Sequence, residues 1–277
     1  MDAVPATVNY LAPGSTRNLR YVAPGGYLTT TEFTAHTVTV ANGRPFRAEF
    51  ELDNSGFTLL DHRSTVTDFR DDGEIDRHYV AEGEELVAEM TGADHVVSLG
   101  WVRRNAAAGP GGARPPGPEV HVDMHPDRAT ARLAGIHAVQ GLPGRTFRRA
   151  ICVILWRAFS PPPQDWPLAL CDYRSTDDAE GLPNVRLVVD KLPRPCDVPA
   201  VIEDVQAKPA GTVFPFMPAH RWWYFPDMHA GEALLFKLFD TEHGVAWRAP
   251  HTAFRDPSVA PAHPRESLEL RTVAFFY

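Results

Sequence analysis

Twenty-six prolines are scattered through 277 residues, and they constrain the fold more than any other feature of the chain. Proline removes a backbone donor and clashes with the preceding helical turn, so frequent prolines break long helices and leave strands as short runs between turns. A bundle of long helices is excluded. Between the prolines, apolar and polar residues alternate with the two-residue period of half-buried strands: Thr37 to Val40, Phe46 to Leu52 and Phe57 to Leu60. Ala41-Asn42-Gly43 and Asp53-Asn54-Ser55-Gly56 supply the turns between them.

Further strands are expected at 95–102, 119–123, 150–156, 211–216, 219–225, 233–239, 244–249 and 266–276. Two segments read as helices. Residues 73–92 set Ile75, Tyr79, Leu86 and Met90 near one face and end at Thr91-Gly92. The other opens at Pro126-Asp127 and runs towards Gln140. Many short strands with few helices suit a mainly β fold, a double-stranded β-helix (jelly-roll, cupin-like) core. Residues 106–118, AAAGPGGARPPGP, form a low-complexity loop. One domain over 1–277 is expected, with 1–105 as buttressing strands and helix, 106–118 as a flexible loop and 119–277 as the jelly-roll core.

A net charge of −8 lacks the basic footprint of a general nucleic-acid binder. No segment reaches the ~20 apolar residues of a membrane span, and the first ten residues lack the basic flank and apolar core of a signal peptide. Cys152, Cys171 and Cys196 are odd in number and without zinc spacing, so they read as reduced thiols of a cytoplasmic protein.

The sharpest chemical pattern is His121-Val122-Asp123 with His251 far downstream. Alternate strand residues share a face, so an imidazole and a carboxylate two apart can meet one metal. With a second histidine they make the 2-His-1-carboxylate triad of non-heme iron, which leaves coordination positions open. A second His-x-Asp, His125 and Asp127, straddles Pro126 and reads as a helix start instead. Arg265 and Ser267 follow His251 by about a dozen residues and share a strand face with Glu269 and Arg271. A guanidinium fork beside a hydroxyl suits the carboxylate of 2-oxoglutarate. The bland alternative makes His251 a satisfied core histidine and Arg265 a surface ion pair.

Other candidates are Arg157, which could meet an acidic ligand or cap the barrel, and Trp222 with Tyr224, which share a face with His220 and could line a substrate pocket. A strand packing aromatics on both sides explains the latter equally well. Asp172, Asp177 and Asp178 fall among loop residues and read as solvated. No Gly-x-Gly-x-x-Gly cradle, Walker motif or Gly-x-Ser-x-Gly elbow occurs.

From about residue 50 onward the chain resembles the AsaB-like (CmcJ-like) hydroxylase/desaturase family of secondary metabolism. The resemblance rests on LDNSGFTLLDH (52–62), VHVDMHP (120–126), LWRAF (155–159), DWPLALCDYRS (165–175), WWYFPDMHAGEALLFKLFD (222–240), HTAFRDP (251–257) and PRESLELRT (264–272). It implies an Fe(II)- and 2-oxoglutarate-dependent oxygenase using O2, with His121, Asp123 and His251 as iron ligands and Arg265 and Ser267 as the cosubstrate anchor. The substrate would be a small organic metabolite. Ile154 and Ala158 stand where the family pattern has Asn and Pro around Trp156-Arg157. Two alternatives stay open: an iron oxidase or cyclase that does not use 2-oxoglutarate, and a jelly-roll binding protein without catalysis.

Overall fold

The computed structural model describes residues 3–16, 18–24, 26–108, 113–140, 146–194 and 208–277. Cys196 and part of the 106–118 loop lie outside them. Strands, numbered along the chain, form two sheets that face each other as a jelly roll. The larger runs in the order β1 (Ala3–Leu11), β4 (Phe33–Asn42), β12 (Trp222–Tyr224), β9 (Leu168–Cys171), β14 (His251–Ala253) and β7 (His121–Val122), continuing to β11 (Lys208–Val213), β10 (Leu182–Val188), β2 (Leu19–Ala23) and β3 (Gly26–Thr29). The smaller runs β5 (Phe57–Asp61), β13 (Glu232–Asp240), β8 (Arg149–Ala158), β15 (Glu266–Phe276) and β6 (His95–Asn105).

The smaller sheet is buried on both faces, so its central strands read as continuous apolar runs instead of alternating ones. On β8, Cys152, Ile154, Trp156 and Ala158 turn inward to the space between the sheets. Ile151, Val153 and Leu155 turn outward to a second core beneath the helices. Those helices are α1 (Asp72–Glu74), a π turn at Ile75–Tyr79, and α2 (Val80–Thr91). Asp71 accepts hydrogen bonds from the amides of Gly73 and Glu74, and Gly92 ends the run at φ 69°. Met90, expected on the buried face, is exposed in the last turn of α2.

Helix α2 approaches the sheet closely because Gly83 has no side chain. A Cβ there would sit 2.2 Å from Leu270 Cδ2 and 3.4 Å from Leu155 Cδ2. Gly83→Val is therefore expected to lower stability by about 1–3 kcal/mol through overpacking, read as a lower midpoint in urea. An unchanged midpoint would mean that the helix slides freely on the sheet.

Two expected strands are absent. Arg44–Glu49 forms a 3-10 turn instead of a strand. Pro45 starts it, and the following rings anchor it: Phe46 against Trp223, and Phe50 against Phe57 and Trp223. Residues 244–249 make no ladder, because their backbone bonds go to separated partners: Ala246 N–H to Asp53 O and Ala249 N–H to Lys237 O. Helix α3 (Pro126–Val139) begins as read, with His125 Nδ1 accepting the Asp127 amide at 3.4 Å. Asp172, expected to be solvated, is fully buried and paired with Arg174 at 2.8 Å.

Candidate metal centre and cosubstrate pocket

Strand β7 is only two residues long, yet it fixes the site. His121 pairs directly with His251 of β14, which sends both imidazoles to the same face of the larger sheet. Their ring centroids are 4.4 Å apart. Asp123 follows the end of β7, and its Oδ1 lies 3.8 Å from His121 Nε2. One ligand atom from each of His121, Asp123 and His251 lies within 4.8 Å of the others.

Each ring has one nitrogen committed. His121 Nδ1 is 2.8 Å from Glu119 O, and His251 Nδ1 is 3.1 Å from Ala249 O. A carbonyl only accepts, so both Nδ1 atoms carry the proton and both Nε2 lone pairs remain for a metal. Burial, reinforced by the neighbouring His121, pushes His251 down to about 3, so it is neutral across the physiological range. Burial alone would raise Asp123. Arg271, His121 and His251 outweigh it and hold the carboxyl well below the usual range. A neutral His251 and an ionised Asp123 are protonation states that a divalent cation requires.

Arg265 immediately precedes β15, and Ser267 lies on the inner face of that strand, away from Arg271 along it. Arg265 is 2% exposed and Ser267 fully buried. Arg265 Nη1 donates to Trp166 O at 2.7 Å, and its guanidinium sits 5.5 Å from the Trp156 ring. Arg265 Nε, Ser267 Oγ and Trp156 Nε1 have no hydrogen-bond partner among the described residues. Buried polar atoms are normally satisfied, so three unpaired donors lining one interior space point to an absent acceptor. Burial lowers Arg265 to about 10, which leaves it cationic at neutral pH. A carboxylate supplies the charge and the acceptor oxygens that these groups lack. The donor sets thus fit both a ferrous ion and a dicarboxylate cosubstrate.

Three substrate candidates from the sequence are not brought to this space. Arg157 alternates with Trp156 and faces outward. It bonds to Tyr79 Oη, His62 O and His62 Nδ1 at 3.2, 2.8 and 2.7 Å, and to Ala230 O. It therefore ties the sheet to the helical layer. On β12 the register aligns Trp223, Leu170 and His251 across adjacent strands. Trp222 and Tyr224 consequently point to the opposite face. Trp222 donates to Tyr10 Oη at 2.8 Å, and Tyr224 packs edge-on to Phe254.

Residues that do face the interior went unassigned in the sequence. Trp223 has an unpaired buried Nε1 and packs on Phe50. Phe236 lies 4.8 Å from the His251 ring. Ile154, Glu269 and Arg271 line a cleft with Val102. Arg271 Nη2 reaches Asp123 Oδ2 at 2.5 Å, while Arg104 holds Glu269 through bonds of 2.5 and 3.1 Å. The available signal was the alternation Arg265, Ser267, Glu269, Arg271 on one strand face.

The family described as "Oxidoreductase/YMDC permease-like domain" matches residues 8–275. No helix among the described residues is long and apolar enough to cross a membrane. The Fe(II)/2-oxoglutarate-dependent dioxygenase nvfI of Aspergillus novofumigatus is 30% identical over 91% of this chain and 87% of its own length. The hydroxylase/desaturase efuI of Hormonema carpetanum is 29% identical over 99% and 95%. The solved iron and alpha-ketoglutarate-dependent endoperoxidase NvfI superposes with a TM-score of 0.78 at 26% identity, covering 99% of this chain and 98% of its own. Of the three possibilities open in the sequence, the oxygenase using 2-oxoglutarate is the one that the descriptions of nvfI and the solved NvfI name. The chain belongs to the AsaB-like hydroxylase/desaturase family of iron- and 2-oxoglutarate-dependent oxygenases.

Proposed function

We propose that His121, Asp123 and His251 are the iron ligands and that Arg265 and Ser267 anchor the distal carboxylate of 2-oxoglutarate. On this reading one domain hydroxylates or desaturates a small organic metabolite. The observation that carries the reading is the pairing of a compact His-Asp-His cluster with unpaired buried donors on the facing sheet. Iron, 2-oxoglutarate and O2 together supply the oxidising power to remove hydrogen from an unactivated C–H bond.

The chain's own residues position and shield. Glu119 O and Ala249 O fix the tautomers of the two imidazoles. Trp156 forms a wall beneath the Arg265 guanidinium and presents Nε1 to the same space. Phe236, Leu170 and Trp223 surround the His251 side with apolar surface that excludes water. Ile154, opposite Arg271 in the register, makes the cleft wall apolar where the family pattern has a polar residue. That favours a substrate presenting hydrocarbon at this point over one needing a hydrogen-bond partner. The buried free thiols Cys152 and Cys171 suit a reducing cytoplasm, and the net charge of −8 supports a metabolite substrate over nucleic acid.

Anaerobic protein titrated with Fe(II) and then 2-oxoglutarate tests the assignment. A visible metal-to-ligand charge-transfer band is expected, saturating at one equivalent of iron. Iron uptake without a cosubstrate-dependent band would leave Arg265 and Ser267 without their assigned role.

A further inference from the structure

Asp123 has two carboxylate oxygens, and they face different partners. Oδ2 accepts from Arg271 Nη2 at 2.5 Å, whereas Oδ1 is the oxygen 3.8 Å from His121 Nε2. Asp123 lies past the last residue of β7, so no ladder bond of that strand orients it. Arg271, by contrast, sits within the long strand β15, paired with Ile154 of β8. The ion pair therefore ties the residue just past β7 to the facing strand β15. Glu269, two residues away on the same face, would compete for the Arg271 guanidinium. Arg104 removes that competitor by binding both of its oxygens at 2.5 and 3.1 Å.

We infer that Arg271 is a positioning residue that restricts Asp123 to one-oxygen coordination and so preserves the coordination position that O2 must occupy. The inference rests on the ligand assignment proposed above. Held by His121, His251 and one oxygen of Asp123, a six-coordinate ion would keep three positions open. A chelating 2-oxoglutarate would need two of them, leaving one. An Asp123 carboxylate free to turn both oxygens to the metal would take a fourth protein position, and the cosubstrate would then fill the rest. With Oδ2 occupied by a guanidinium, that rotation is blocked. Arg104 acts one step further out, by keeping Glu269 off Arg271.

Nitric oxide tests this directly, because it occupies the O2 position on ferrous iron and gives an EPR signal without turnover. Arg271→Met and Arg271→Gln are compared with the unchanged protein, each loaded anaerobically with Fe(II) and 2-oxoglutarate. Both variants are expected to take up iron and show the charge-transfer band. Their nitric oxide signal in the presence of 2-oxoglutarate should fall about tenfold or more, the usual size of a lost outer-shell contact. It should persist when 2-oxoglutarate is omitted, and Arg271→Lys should restore part of it. A fold defect would remove all of these signals together, so their selective loss separates positioning from mere structure. If Arg271→Met does not fold, the glutamine variant carries the same comparison.

Full nitric oxide binding alongside 2-oxoglutarate in either variant would overturn the inference. So would a weakened affinity for 2-oxoglutarate with nitric oxide binding intact, which would make Arg271 a cosubstrate contact. His121→Ala is the separate control: wild-type iron uptake in that variant would sink the ligand assignment itself and not the role of Arg271 alone.

Discussion

His121→Ala is expected to lose iron binding at stoichiometric concentrations and, with it, the charge-transfer band and all turnover. On the proposed assignment the imidazole is one of three protein ligands, and its replacement would open a gap in the triad that a methyl group cannot fill. Metal sites with four protein ligands bind with ~10–16 kcal/mol, so one ligand accounts for roughly 3 kcal/mol, or about two orders of magnitude in affinity. The fold should survive. The His121 side chain is 22% exposed, its one backbone partner is Glu119 O, and β7 is held by β14 and β11 through main-chain pairs. Far-UV circular dichroism and the apo-protein melting temperature should match the unchanged protein, while anaerobic titration detects no tight iron. Tight one-equivalent uptake by a folded His121→Ala protein would refute the assignment.

That residue was visible in the sequence because its strand leaves little ambiguity. Val120 and Val122 are apolar and bury, so His121 and Asp123 must share the other face. The facing of Arg265 and Ser267 was legible for the same reason, since the intervening Leu268 and Leu270 turn to the core beneath the helices. Alternation fails where both faces are buried. Every residue of β8 from Ala150 to Ala158 is buried, so nothing in the local pattern says that Trp156 looks inward and Arg157 outward. The same holds for the aromatic run at 222–225. Its phase is set by three register pairs with β9, not by its own composition, and the face shared with His251 is that of Trp223. The strand expected at 46–52 fails for a different reason. Its alternating phenylalanines were real packing residues, but Pro45 and the contacts of Phe46 and Phe50 drew them into a turn. Arg271 was seen on the correct face, but its contact with Asp123 spans 148 residues and no local pattern encodes it.

Arg265→Met should separate binding from stability in the opposite sense to most core changes. The guanidinium is buried and pushed down to about 10, principally by desolvation. A base whose folded value is lowered binds its proton less well when folded, so below about pH 10 its charge works against folding. Methionine removes that charge with a side chain of similar length, and such replacements are often neutral or stabilising. The Arg265 amide keeps its 2.9 Å bond to Asp165, and among the described residues the side-chain hydrogen bond surrendered is the one to Trp166 O. The apo variant should therefore melt within a few degrees of the unchanged protein, or above it. Its affinity for 2-oxoglutarate should fall about a hundredfold, since a charge-assisted bond to a carboxylate contributes roughly 1.5–3 kcal/mol. Two measurements read this out. The charge-transfer band should saturate only at correspondingly higher 2-oxoglutarate, and the melting-temperature rise that 2-oxoglutarate gives the iron-loaded protein should vanish at moderate concentration. Iron uptake, assigned above to His121, Asp123 and His251, should stay unchanged. If Arg265→Met binds 2-oxoglutarate as tightly as the unchanged protein, the unpaired donors at Arg265, Ser267 and Trp156 serve some other anion, and the anchor must be sought elsewhere in the cleft.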